Sequence, residues 1–177
     1  MKEIRVAISG KSGCGNTTVS TLLSQKLGVK LINYTFRTLA QERNLTLAQV
    51  IENAKTDDSY DIYVDTHQVE LAKQGSCVLG SRLAIWMLKE ADFKVYLIAS
   101  DELRAQRIFN REGGSLEEIK KFTAMRDGED SRRYKKLYNI DNNDYSVADL
   151  VVDTENKTPE KIVELILNEL KNRNLID

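Results

Sequence analysis

The sequence predicts an α/β fold: three layers, with a five-stranded parallel sheet covered by helices on both faces. Short apolar runs rich in β-branched residues recur at residues 4–9, 29–32, 77–79, 93–99 and 150–152. Between them lie stretches whose apolar residues fall at helical spacing. Strands that alternate with helices in this way form βαβ units, and their sheet is parallel and buried on both sides.

The first strand, Ile4-Arg5-Val6-Ala7-Ile8-Ser9, stops at Gly10. From Thr17 the period becomes helical, with Val19, Leu22, Leu23 and Leu27 closed by Gly28. The second strand, at 29–32, precedes two short helices at 36–43 and 47–54, the latter capped by Thr46. A helix at 62–73 ends before Gly75, and the third strand, Cys77-Val78-Leu79, leads into a helix at 82–89. After the fourth strand comes a helix at 101–112, with Gly113-Gly114 as a hinge. Ser115-Leu116-Glu117-Glu118 reads as a capping box opening a helix that runs toward Leu137. Beyond the fifth strand, Thr158 and Pro159 supply the cap and first position of the last helix. It carries Ile162, Val163, Leu165, Ile166 and Leu170.

With 177 residues, 41% hydrophobic and 30% charged, the chain suits one domain over 1–177 with a full core. A net charge of -1 gives no global attraction to nucleic acid or membrane, and no RNA- or DNA-binding module is recognisable. No apolar stretch approaches the ~20 residues that cross a bilayer. Met1-Lys2-Glu3 begins no secretory pattern, so Cys14 and Cys77 are expected to be reduced thiols in a cytoplasmic protein.

The chemistry is expected at the first strand–helix junction. Gly10-Lys11-Ser12-Gly13-Cys14-Gly15-Asn16-Thr17-Thr18 fits the phosphate-loop pattern G-x-x-x-x-G-K-[ST], except that Asn16 replaces the lysine. Glycines allow a turn whose N–H groups point inward as a nest, and the following helix adds the positive end of its dipole. All nine residues are therefore candidates for binding ATP, and Thr17 holds the hydroxyl position that ligates Mg²⁺. Asn16 offers a dipole where a lysine would place a charge, so Lys11, in the same loop, is expected to reach toward the phosphates. Without a ligand the same segment would be a glycine-rich turn. The strand before it and the helix after it favour the phosphate loop, and with it a P-loop NTPase fold.

Phosphoryl transfer also needs positive charge around the moving group. Arg104, Arg107 and Arg111 follow the fourth strand, the last two on one helix face. Arg126 and Arg133 share a face seven residues apart, while Arg37 and Arg82 follow the second and third strands. The guanidinium fork suits phosphate, although each arginine taken alone also fits a solvated surface pair. With the Gly-Gly hinge, the region of about 104–140 reads as an arginine-rich lid.

In these features nearly the whole chain resembles the archaeal-type cytidylate kinases, a family of P-loop nucleoside-monophosphate kinases. Beyond the loop, the resemblance rests on Phe36-Arg37, on Asp65 followed by Gln68-Val69-Glu70-Leu71-Ala72, and on Ser81-Arg82-Leu83-Ala84-Ile85-Trp86. It continues through Arg104, Arg107, Arg111 and Glu112. Its most specific parts are Arg133-Tyr134-Lys135-Lys136-Leu137-Tyr138-Asn139-Ile140-Asp141 and Asp149-Leu150-Val151-Val152-Asp153-Thr154. The resemblance implies phosphoryl transfer from ATP to CMP or dCMP. Arg37 and Arg82 would hold the acceptor phosphate, with Asp65 near its base or sugar. Arg107, Arg111, Arg126 and Arg133 would close over the phosphates. Three departures stand out: Asn33-Tyr34-Thr35 is shorter than the family's turn, Gly80-Ser81 replaces Glu-Gly, and Thr66-His67 replaces basic residues.

His67 is the only histidine, so no histidine-based metal cluster is expected. It reads as a helix-surface residue or an acceptor-site wall. Cys14 reads as a small loop residue and Cys77 as strand core. Trp86 and Tyr34 each fit either the pocket or plain packing. Asp141, Asp144 and Asp149 lack the spacing of a calcium loop, and Asp57-Asp58 reads as a solvated helix end. A P-loop kinase for another small acceptor remains an alternative. So does a nucleotide-binding regulatory protein with little turnover.

Overall fold

Strand β1 (Arg5–Gly10) runs through the centre of the sheet in the computed structural model, which describes residues 3–177. The reading of Met1-Lys2 as lacking a secretory pattern lies outside those residues. The other strands are β2 (Lys30–Ile32), β3 (Cys77–Gly80), β4 (Phe93–Ile98) and β5 (Leu150–Asp153). They stand in the order β2-β3-β1-β4-β5, and every neighbouring pair is parallel. The predicted five-stranded parallel sheet is therefore present.

Alternation along β1 splits the core into two layers. Val6 and Ile8 face one side, with Val19 and Leu23 of α1 (Asn16–Leu27) and Ile162, Val163, Ile166 and Leu170 of α8 (Pro159–Asn172). Burying each of these α8 side chains stabilises the fold by roughly 1.5–3 kcal/mol. Ala7 faces the other side, with Val69 and Ala72 of α4 (Ser59–Ala72) and Ala84 and Ile85 of α5 (Ala84–Met87). A smaller cluster, Tyr34, Leu39, Ala40, Val50 and Val64, joins α2 (Phe36–Glu42) and α3 (Leu47–Ala54) to α4. Helices α6 (Asp101–Glu112) and α7 (Leu116–Tyr138) form a hairpin. Its turn holds Gly113 at φ 71° and Gly114 at φ 94°, a region that favours glycine.

Thr46, Ser115 and Thr158 accept N–H bonds from Gln49, Glu118 and Lys161, as expected of caps, but at Ser115 the reciprocal Glu118 bond of the expected box is not formed among the described residues. Two boundaries differ. Helix α4 starts three residues earlier than Ile62, after Asp57 Oδ1 accepts the Ser59 N–H at 2.9 Å. The helix expected at 82–89 shrinks to the single turn α5. There Ser9 Oγ accepts the Ile85 N–H at 3.1 Å and donates to Ser81 O at 2.7 Å, so β1 anchors a segment that periodicity alone would extend.

Strand order reverses at β1 and β3: α1 carries the chain from β1 past β3 to β2, whereas β3 leads across β1 to β4. The loops leaving the carboxyl ends of β1 and β3 therefore diverge and open a crevice. The candidate site lies there. Among the described residues, no helix is long and apolar enough to cross a membrane.

Candidate active site

The loop after β1 is held open as an amide nest. Gly13 and Gly15 take φ 82° and 95°. A Cβ on Gly13 would lie 2.8 Å from Arg104 O, so only glycine lets α6 approach the loop this closely. The Cys14 N–H is used internally, donating to Lys11 O at 3.1 Å. The N–H groups of Gly13, Gly15, Asn16, Thr17 and Thr18 find no protein acceptor among the described residues. Such convergent free donors at a helix N-terminus favour an anion.

The Asn16 side chain points elsewhere. Its Nδ2 donates to Gly10 O at 2.6 Å, and its Oδ1 is buried without a partner. It pins the end of β1, leaving only its backbone N–H for the nest. Cys14 is 2% exposed, and burial pushes its thiol pKa up against the nearby Arg104 charge, so the loop holds no activated thiolate. Gly80 packs against α1: a Cβ there would collide with Ser20 Oγ and meet Ser20 Cβ at 2.9 Å. The missing family carboxylate thus coincides with a position closed by Ser20.

The expected lid arginines divide by partner. Arg104, 2% exposed, donates to Ser12 O at 3.1 Å, to Asp101 at 2.8 Å and to Asp127 at 2.5 Å. It ties the phosphate loop to both hairpin helices. Arg107 is likewise committed, donating to Gly13 O at 3.1 Å and to Thr154 Oγ1 and O at 2.9 and 3.0 Å. It braces the back of the loop instead of facing the cavity with Arg111, as sharing a helix face had suggested. Arg111 and Arg126 do line the cavity. Arg111 pairs with Glu112 at 2.9 Å, and Arg126 lies over the Phe122 ring at 5.9 Å.

A cavity of about 450 Å³ joins the loop to the far wall. Thr17 and Thr18 line it at the start of α1; Arg82, Arg133, Asp61 and Asp65 line it opposite. Arg82 and Arg133 share Asp130, at 2.5 and 3.1 Å. Arg133 Nε also lies 3.3 Å from Asp61 Oδ1, a charge contact without hydrogen-bond geometry. Asp65 accepts the Tyr138 hydroxyl at 2.7 Å. Burial pushes the Asp65 carboxyl up to about 6, against the lowering effects of Tyr138 and Arg133. Burial also raises Asp61. Gln68, 3% exposed, lines the same wall, and its Oε1 has no partner.

Arg37 is exposed just past Phe36, which lines the cavity, but is not itself in the wall. Tyr34 lines the cavity and is also packed, its hydroxyl donating to Glu42 at 2.5 Å and its ring edge-on to His67. His67 stacks on Tyr63 outside the wall. Trp86 stands edge-on to Tyr96 and donates to Asp144 O at 3.2 Å, so it packs, partly buried, against the core and not in the cavity wall. Cys77 is strand core at 1% exposure.

The sequence did not mark three wall residues, Asp61, Gln68 and Tyr134, or two residues that hold the wall from behind, Asp130 and Tyr138. Faint signals existed. Asp61 and Asp65 are i,i+4 on α4, Asp130 and Arg133 are i,i+3 on α7, and both tyrosines lie in the stretch that carried the resemblance.

A family model described as "Cytidylate kinase-like family" matches residues 5–156. The chain is 45% identical to Cytidylate kinase 2 of Borrelia garinii subsp. bavariensis, across 97% of this chain and 99% of that one. It is 36% identical to the cytidylate kinase of Archaeoglobus fulgidus, across 93% of each. Among solved structures, shikimate kinase from Acinetobacter baumannii in complex with shikimate superposes with a TM-score of 0.68 at 19% identity, covering 99% and 97% of the two chains. Deoxyadenosine kinase from M. mycoides gives 0.60 at 22%, covering 96% and 99%. The two structures share the P-loop kinase fold with this chain.

Proposed function

Since the chain belongs to the cytidylate kinase-like family, we propose that it transfers the γ-phosphoryl group of ATP to CMP or dCMP. The observation that carries this reading is one cavity with two unlike walls. An amide nest on one side suits a triphosphate, and an arginine–carboxylate wall on the other suits a nucleoside monophosphate.

ATP binds on the loop of residues 10–18, through the free N–H groups of Gly13, Gly15, Asn16, Thr17 and Thr18. Mg²⁺ needs few protein ligands when phosphates supply the rest, and the exposed Thr17 hydroxyl at the cavity edge fits that need. The ion would neutralise charge on the phosphate chain. Arg82 and Arg133, held in place by Asp130, receive the acceptor phosphate. Asp65 and Gln68, which line the same cavity, take the base or sugar. Arg37 joins from the rim.

In the reaction an acceptor phosphate oxygen attacks the γ-phosphorus in line. The bond from that phosphorus to the β–γ bridging oxygen breaks, and ADP leaves with its electron pair. The acceptor needs no general base, because a phosphate monoester is already largely ionised above its second pKa of ~6. Catalysis rests on placement and on charge at the moving group. Arg111, Arg126 and Arg133 supply that charge when residues 104–140 close as a lid, while Arg107 acts by bracing the loop. The chain works as one kinase domain. Cys14 and Cys77 are both free, which fits a reducing cytoplasm.

A coupled assay with ATP and a panel of monophosphates tests the reading. Turnover of CMP and dCMP above UMP, AMP and GMP is the expected result. Preference for another acceptor, or ATP binding without turnover of any, would overturn it.

A further inference from the structure

The phosphate loop lacks its usual lysine, and the Asn16 side chain is spent on Gly10 O, so the loop's charge must come from elsewhere. Five cations line the cavity: Lys11, Arg82, Arg111, Arg126 and Arg133. Arg82 and Arg133 are neutralised by Asp130 and Asp61, and Arg111 by Glu112. Of these five, only Lys11 and Arg126 have no carboxylate within ion-pair distance among the described residues. Arg126 is exposed on α7, across the Gly113–Gly114 turn from the loop. Lys11 is half-buried and belongs to the loop itself, one residue beyond the last residue of β1. Its own carbonyl accepts the Cys14 N–H, which fixes the backbone from which the side chain springs.

An ammonium with no carboxylate partner, beside an anion nest, is free to meet an arriving anion. We propose that Lys11 is the phosphate-binding cation of this loop, contacting the β- and γ-phosphoryl oxygens of the bound triphosphate in place of a lysine at position 16. The assignment rests on the kinase reading and names the residue that carries the loop's charge. It also accounts for the tolerance of asparagine at 16. With the charge supplied from position 11, position 16 is free to hold the end of β1.

The test uses the full chain with Lys11→Met, which keeps length and removes charge, and Lys11→Arg, which keeps charge. Affinity for Mg·ATP is measured by calorimetry without acceptor, alongside steady-state turnover and urea midpoints. K11M is expected to bind Mg·ATP at least ~10-fold more weakly and to lose about 10²–10³-fold in kcat, a loss typical of one charge-stabilising group. K11R should retain most of both, and all three urea midpoints should agree. Parent-like binding and turnover in K11M would overturn the proposal, as would equal losses in K11R and K11M, which would mark a packing role. The kinase reading fails separately: a parent that binds Mg·ATP but turns over no monophosphate refutes it while leaving the Lys11 comparison intact.

Discussion

Replacing Asp65 by asparagine removes one buried carboxylate with little change of shape. An ordinary aspartate ionises near 3.8, and burial raises Asp65 to about 6. Below pH 3.8 both folded and unfolded chains carry the proton, and Asp65 imposes no cost. Between those values the folded chain keeps a proton that the unfolded chain has released, so stability falls as pH rises. Above pH 6 the cost is constant, at roughly 3 kcal/mol. Asparagine never ionises and still offers Oδ1 to Tyr138. Asp65→Asn should therefore be more stable than the parent by roughly 3 kcal/mol at pH 8 and by only about 0.5 kcal/mol at pH 4. Urea unfolding followed by the single Trp86 measures this difference directly. The same variant should bind CMP less well, because the site gives up a charge it holds at a cost to stability. Equal stability of the two proteins at pH 8, or a gain that does not shrink toward pH 4, would refute the reasoning. As an independent check, Tyr138→Phe removes a bond that holds the carboxyl down, so the Asp65 titration followed by NMR should move above 6.

Three further outcomes are expected. Arg104→Ala leaves Asp127 without its closest partner and unties the loop from α7; it should destabilise by about 3–5 kcal/mol in chemical denaturation. Gly80→Ala forces a methyl onto Ser20 and should cost about 1–3 kcal/mol, with only part recovered by adding Ser20→Ala, since the Ser20 Cβ contact remains. Arg126→Ala should lower kcat by about 10²-fold while leaving the urea midpoint unchanged, because Arg126 is exposed and, among the described residues, has only the Phe122 ring as a close partner.

The sequence by itself determined whatever depends on neighbours along the chain. Strands, helix caps, the Gly-Gly turn and the nine-residue loop are contiguous, and their periods and turn residues express local backbone physics. Which arginine faces a phosphate and which one braces the loop was decided only by tertiary structure. Arg104 meets Asp127 across 23 residues, Arg107 meets Thr154 across 47, Arg82 meets Asp130 across 48, and Tyr138 meets Asp65 across 73. Such pairs arise when sheet order and helix packing bring distant segments together, and spacing within one helix cannot record them. For the same reason α5 starts later than its pattern: the Ser9 hydroxyl, on a neighbouring strand, stands between the Ile85 N–H and the Ser81 carbonyl, where an earlier helical bond would lie.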